Sequence, residues 1–325
     1  MKGFSTICAA AFAVLTLCLP ASAQDTTRQT TWEKLPILKP RFEETFYQIA
    51  FVNRDVGFMV SNQSIWKTTD GCKTWNAVLQ ATFLKEKPVS ALHFTDAKNG
   101  RMVSGGKLYS TDDGGASWAP EDCGNSINTV AAGPDNWMIA GGGHTLYQKR
   151  GKGDWELIKG KGPMPGLGFN DSVTRIDIAD AKTAYVYISG TEGRVIRTTD
   201  GGKKWETVYK KGLGSMHFAD AKRGWLTDGA EIRATQDGGD TFKQQLNPED
   251  RSIVTIAFDT AGTFGIAPLT VAGNQNRKIL RTTDGKNWTG VELDLDEGQF
   301  VSASVVDGHA YVLMDNGHFI RFDNK

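Results

Sequence analysis

Residues 195–205 read VIRTTDGGKKW, and the fold of the whole chain turns on that phrase. An apolar and basic strand enters, a Thr/Asp/Gly turn reverses the chain, and a tryptophan opens the return. The phrase recurs as IWKTTDGCKTW at 65–75, LYSTDDGGASW at 108–118 and IRATQDGGDTF at 232–242. A shortened copy, ILRTTDGKNW, lies at 279–288, and LYQKRGKGDW at 146–155 keeps the tryptophan without the aspartate. The marking aromatics stand at 75, 118, 155, 205, 242 and 288, in steps of 43, 37, 50, 37 and 46 residues. Self-similarity at a period near 40 means a repeat architecture.

Each copy sits in a larger unit. Ahead of it come two strands with period-two apolar alternation and a turn between them, as in VSALHFTDAKNGRMVSG (89–105) and SMHFADAKRGWLTD (215–228). Behind it runs a short fourth strand, WNAVLQ at 75–80 or WETVYK at 205–210. Four short strands per unit, with no long helical pattern, predict the blades of an all-β propeller. The C-terminal HFIRFDNK matches a third strand and then stops, while WEKLPIL at 32–38 has the form of a fourth. Six internal units plus this composite make seven four-stranded blades, with the N-terminal strand closing the ring. The expected organisation is a leader at 1–23, a short tail at 24–31 and the propeller at 32–325.

The repeated acids and aromatics read as structure. Asp70, Asp113, Asp200, Asp237 and Asp284 fall in the turn between strands three and four, where a carboxylate accepts turn N–H groups and glycine supplies positive φ. Thr68, Thr111, Thr198, Thr235 and Thr282 can accept them likewise. Trp75, Trp118, Trp155, Trp205, Phe242 and Trp288 are expected to bury between sheets. A residue type repeated in five or six blades does one job in each, whereas catalysis needs one asymmetric site.

These turns resemble the Asp-box, the bacterial neuraminidase repeat of sialidases, some glucanases and sortilin-type receptors. The whole unit, as in HFTDAKNGRMVSGGKLYSTDDGGASW and MHFADAKRGWLTDGAEIRATQDGGDTF, is more similar to the photosystem II assembly and stability factors and their non-photosynthetic bacterial relatives. That resemblance implies a non-catalytic, protein-binding propeller serving as scaffold, assembly or accessory factor for an envelope or membrane complex. The arginine-rich contact face of those factors has no counterpart cluster here. The sialidase resemblance implies the alternative, a glycoside hydrolase or carbohydrate-binding propeller.

The amino terminus reads as an address. A basic start at Lys2, an apolar stretch from Ile7 to Leu19, Pro20 and the run Ala21-Ser22-Ala23 form a secretory signal peptide cleaved after Ala23. A lipoprotein would use Cys18, but Leu17 before it is not small. The product is therefore periplasmic or secreted. Outside the leader no apolar run is long enough to span a bilayer. With 37 basic and 37 acidic side chains the chain lacks the basic excess of a nucleic-acid binder. Export leaves Cys72 and Cys123, placed by the repeat in a turn of one unit and at a strand end of the next, a separation that disfavours a disulfide.

Catalytic ingredients are sparse. Pro40-Arg41-Phe42 inverts the order of the sialidase Arg-Ile-Pro element. Arg175 and Arg251 follow loops expected at the mouth, and Tyr47 with Glu43 or Glu44 could supply a nucleophile pair, but the full set of carboxylate-clamping arginines is missing. Asp294-Leu295-Asp296-Glu297-Gly298 starts like a calcium loop without its distal glutamate. The five histidines show no metal-ligand spacing, and His93 and His217 hold equivalent inner-strand positions facing the channel. No cofactor or metal is expected.

A partner would meet the connections from each outer strand to the next inner strand, near 39–46, 81–88, 121–127, 159–172, 211–214, 247–251 and 294–300. The longest carries Met164, Leu167 and Phe169, apolar residues that either form a contact site or pack beneath their own loop. With Arg41, Lys87, Asp171, Arg175 and Arg251 they form the candidate contact surface, a mixed-charge rim suited to a protein partner of a monomeric scaffold.

Overall fold

The structure, a computed structural model, describes residues 32–35, 44–79, 88–124, 126–158, 170–229, 231–248, 251–270, 276–295 and 298–324. The leader and tail therefore lie outside the described residues. The described chain forms strands β1 to β28 in seven antiparallel four-stranded sheets. Blade 1 runs from β2 (Phe46–Phe51) to β5 (Asn76–Leu79), and blade 2 from β6 (Val89–Phe94) to β9 (Ala119–Glu121). Blade 3 runs from β10 (Thr129–Ala132) to β13 (Glu156–Leu157), and blade 4 from β14 (Ser172–Ile178) to β17 (Glu206–Lys210). Blade 5 spans β18 (Ser215–Phe218) to β21 (Lys243–Leu246), and blade 6 β22 (Ala257–Phe258) to β25 (Thr289–Leu293). Blade 7 joins the two ends of the chain: β26 (Phe300–Val306), β27 (His309–Met314) and β28 (Phe319–Asp323) are completed by β1 (Trp32–Lys34). The register is Trp32 opposite Phe322, Glu33 opposite Arg321 and Lys34 opposite Ile320. Closure hides the outer edge of β28 that would otherwise offer itself for aggregation. The expected fold and composite blade are both present.

The core is distributed around the ring. Each of seven apolar clusters joins two neighbouring blades, for example Phe58, Val60 and Ile65 with Leu92, Phe94 and Met102, or Trp137 and Ile139 with Val186 and Ile196. The cluster of Leu35, Phe46 and Met59 with Tyr311, Leu313 and Phe319 seals blade 7 to blade 1. Stability is thus a closed chain of interfaces, each contributed by alternating residues of two sheets.

A second phrase of the repeat explains these joints. In four blades the last phenylalanine of the inner strand pairs with a glycine on the next strand: Phe51 with Gly57, Phe94 with Gly100, Phe218 with Gly224 and Phe258 with Gly265. The ring lies flat on that glycine, and a Cβ there would run into it. The other face of each ring stacks on an aromatic of the preceding blade. Phe58 covers Phe94 at 3.5 Å between centroids, Tyr185 covers Phe218 at 3.4 Å, Trp225 covers Phe258 at 3.8 Å and Tyr311 covers Phe51 at 3.7 Å. Each stack adds about 1 kcal/mol beyond its area burial.

The marking aromatics depart from expectation. Trp205 is buried, but Trp75, Trp118, Trp155, Phe242 and Trp288 are only half-buried. They sit where the outermost strand begins, so one side meets the neighbouring blade and the other meets water. Trp75, Trp118 and Trp288 set their edges against Phe51, Phe94 and Phe258 at 5.6 to 6.2 Å. Cys72 and Cys123 are both buried free thiols, and burial pushes each up to about 12.

Candidate partner-binding mouth

Strand alternation puts the two turns of each blade, first to second and third to fourth, at one end of the ring. They are tied there: Gly71 N–H donates to Asp55 O, Gly114 to Lys98, Gly201 to Lys182 and Gly238 to Lys222, at 2.8 to 3.0 Å. Within the third-to-fourth turn each threonine hydroxyl donates to the aspartate two residues on, from 2.7 to 3.0 Å in Thr68, Thr111, Thr198, Thr235 and Thr282. The same oxygen accepts the N–H four residues on, at Cys72, Gly115, Gly202 and Gly239. The i+4 hydroxyl and amide of Thr74, Ser117 and Thr241 hold Asp70, Asp113 and Asp237 well below the usual carboxylate range. For Asp284 the backbone N–H groups of Asn287 and Lys286 do so. The threonine hydroxyl and at least one carboxylate oxygen of each of these turns are engaged within the hairpin, which they close. Blade 3, which lacks the aspartate, sends Trp155 Nε1 to Glu121 Oε2 of blade 2 at 2.6 Å.

The opposite end is the mouth, where a cavity of ≈ 410 Å³ opens along the axis. The innermost strands present their unpaired edges to it, and side chains of the preceding blade satisfy them. Gln48 clamps Leu92, donating to its carbonyl at 2.7 Å and accepting its N–H at 3.1 Å. Ser302 and Ser304 accept the N–H groups of Ile49 and Phe51, and Ser215 accepts that of Ile256. Deeper in, Asp177 accepts Phe218 N–H at 2.7 Å; burial raises its pKa, while His217 beside it pulls the other way. Burial lowers the pKa of His93 to about 4 against the opposing pull of the Ala132 backbone, so it is neutral at pH 7. His93 lines the channel cavity, whereas His217 lies against Phe258 of the next blade. This belt was invisible in the sequence because isolated Gln, Ser and Thr residues carry no motif; the one signal was a polar residue three before the inner-strand phenylalanine in blades 1, 5 and 6.

The candidate contact residues divide three ways. Arg41, Lys87, Met164, Leu167 and Phe169 lie outside the described residues. Asp171 is no free rim charge: it pairs with Arg194 at 2.8 Å with both side chains mostly buried, which fixes the start of β14. Arg251 donates to the Asn276 carbonyl at 2.7 Å and ties a connection down. Arg175 sits within β14 just past a bulge and lines the cavity, exposed to its water. Burial by the surrounding wall lowers its pKa from the ordinary arginine value.

Of the sialidase nucleophile pair, Tyr47 and Glu44 are each engaged elsewhere, and Glu43 lies outside the described residues. Tyr47 donates to the Ser61 carbonyl at 2.8 Å, and burial pushes its hydroxyl up to about 12, away from activation. Glu44 is buried and accepts from Ser61 Oγ at 2.5 Å and Trp66 Nε1 at 2.9 Å. Among the described residues no three His, Cys, Asp or Glu side chains converge as a metal site, and no helix is long and apolar enough to cross a membrane. Asp296 and Glu297 lie outside the described residues.

No family model matches the sequence. A photosystem II assembly lipoprotein, Ycf48, of Trichormus variabilis is 29% identical over 178 residues, 54% of this chain and 49% of the relative. The chain spans about half the length of the curated relatives it first matches. A solved structure of YCF48 bound to a D1 peptide superposes with a TM-score of 0.67 at 18% identity, covering 90% of this chain and 97% of that one. A GH74 xyloglucanase from Xanthomonas campestris superposes at 0.70 with 12% identity, covering 91% of this chain and 54% of the enzyme, which shows the blade architecture alone. The chain is a seven-bladed propeller that resembles the photosystem II assembly factors in sequence and in fold.

Proposed function

We propose that the chain is an exported, monomeric, non-catalytic propeller that holds a segment of another protein, as an assembly or accessory factor for an envelope or membrane complex. The observation that carries this reading is the 29% identity with a lipoprotein named for photosystem II assembly. One such factor has been seen with a D1 peptide bound. The engaged state of Tyr47 and Glu44, and the hydrogen bonds that tie the turn acids into their hairpins, also favour a binding role over hydrolysis. The leader at 1–23 would deliver the chain, and the connections bearing Arg41, Lys87, Met164, Leu167 and Phe169 would make the contact.

The test is a pull-down of the tagged protein from detergent-solubilised envelope of its host, after mild crosslinking, read by mass spectrometry. Replacement of residues 160–169 by a Gly-Ser linker should abolish recovery of one stoichiometric complex. The replacement stops short of Asp171, whose ion pair with Arg194 the fold needs. Recovery of background proteins alone, together with binding on a glycan array, would overturn the proposal in favour of a carbohydrate-directed propeller.

A further inference from the structure

The belt at the mouth follows a rule in blades 1, 5 and 7 that blades 2 and 4 break, blade 2 with Ala91, which has no polar side chain, and blade 4 with a donor. Three residues before the end of the inner strand stand Gln48, Arg175 and Ser215 in blades 1, 4 and 5, and Thr255 in blade 6. Gln48 accepts the edge N–H of Leu92, and Ser215 that of Ile256. Ser302 of blade 7 does the same for Ile49. In each case an acceptor of one blade serves the second residue of the next blade's belt. In blade 4 the position is Arg175, and the edge N–H it faces by this rule belongs to Met216. A guanidinium carries five donors and no acceptor, so it cannot serve an N–H. The parity of β18 keeps that N–H on the edge side: Ser215 N–H turns to Thr227 Oγ1 of the neighbouring strand, whereas Phe218 N–H turns out to Asp177.

Arg175 and Met216 line the same ≈ 410 Å³ cavity. Among the described residues around it, Arg175 is the one that is charged at neutral pH, since burial keeps His93 neutral there. The volume admits a small molecule or one to two residues of a peptide. Two donors then share one cavity with a single positive charge, which calls for an acceptor of one negative charge. A carboxylate has the required pair of acceptor oxygens and the matching charge. A phosphate dianion would lack a second cation.

We infer that the mouth of the central channel is a carboxylate-binding site, in which one anion accepts hydrogen bonds from the Arg175 guanidinium and from the Met216 N–H. It supplies the acceptor that blades 1, 5 and 7 provide from their own side chains. The inference goes beyond the partner-binding reading and does not depend on it. Two sources share this chemistry, a free small carboxylic acid and the terminal carboxylate of a peptide.

The probes are N-acetylalanine and a tetra-alanine peptide, each as the acid and as the amide, titrated into the purified protein at constant ionic strength. Calorimetry reads affinity, and selective ¹⁵N labelling of the seven methionines reads the Met216 amide directly. Acids should bind at least tenfold more tightly than amides and shift the Met216 signal. Arg175→Gln should lose at least tenfold, and Arg175→Lys should fall between the two, with unchanged melting confirming that both variants fold. Tighter binding of the peptide acid would assign the site to a chain end; equal or tighter binding of N-acetylalanine would assign it to a free acid. Equal binding of acids and amides, binding unaffected by Arg175→Gln, a silent Met216 amide, or no binding of any probe would overturn the inference.

Discussion

Glu121 concentrates the load between blades 2 and 3. Its carboxylate meets Lys149 at 3.1 Å and Arg101 at 3.2 Å, and accepts Trp155 Nε1 at 2.6 Å. Burial alone would raise its pKa, but the Trp155 hydrogen bond and the two cations outweigh it and hold the carboxyl below the ordinary glutamate value. Glu121→Ala removes a hydrogen bond to a charged acceptor, which contributes about 2 kcal/mol. It also strips a counter-ion from two partly exposed cations, each worth about 0.5 kcal/mol after solvent screening. The loss near pH 7 is therefore about 3 kcal/mol, or roughly 6 °C in Tm for a domain of this size. Glu121→Gln keeps an acceptor for Trp155 and should lose about half as much. The pH dependence fixes the mechanism. A depressed carboxyl contributes its stability above its unfolded pKa and loses it as pH falls through the folded value. The gap between wild type and Glu121→Gln, followed by urea unfolding from pH 7 down to 3, should therefore close on acidification. A gap that stays constant with pH, or a Glu121→Ala loss below 1 kcal/mol, would refute this reading of the network.

Three further outcomes follow from the geometry. Thr68→Val, Thr111→Val, Thr198→Val and Thr235→Val each leave a buried turn N–H without its acceptor. Each should cost about 1–3 kcal/mol in urea unfolding with partner capture intact; one variant that lost binding alone would reveal a functional turn. Deleting residues 24–35 removes β1 and the buried Leu35, about 4 kcal/mol by area and ladder bonds, and bares the edge of β28. The product should melt lower and aggregate in light scattering, whereas an unchanged melt would contradict ring closure. Cys72 and Cys123 should resist a thiol reagent until denaturant is added, because both are buried and poorly ionised; immediate labelling of both would contradict their placement.

The blade phrase was legible because it records local chemistry. Thr-x-Asp-Gly specifies a turn whose hydrogen bonds close within five residues. Ring closure was legible for a similar reason: the third strand at 319–323 lacked a partner that residues 32–34 could supply. What was hidden depends on neighbours distant in sequence. Asp171 looked like a rim charge until Arg194 was found against it, and Glu44 like a catalytic acid until Ser61 and Trp66 were. Trp118 looked like core because the phrase cannot say that its strand is outermost. Arg175 was singled out because it follows a mouth loop, whereas its distinction is to be a donor at a position where blades 1 and 5 place an acceptor.

Hydrogen–deuterium exchange of the protein, alone and in the complex recovered from the envelope, tests the central claim most directly. The account requires protection in peptides covering the mouth connections, 36–43, 80–87 and 159–169, with the Thr-Asp turns at the other end unchanged. Protection confined to peptides covering 68–75, 111–118, 198–205 and 235–242 would place the partner on the opposite face and contradict it.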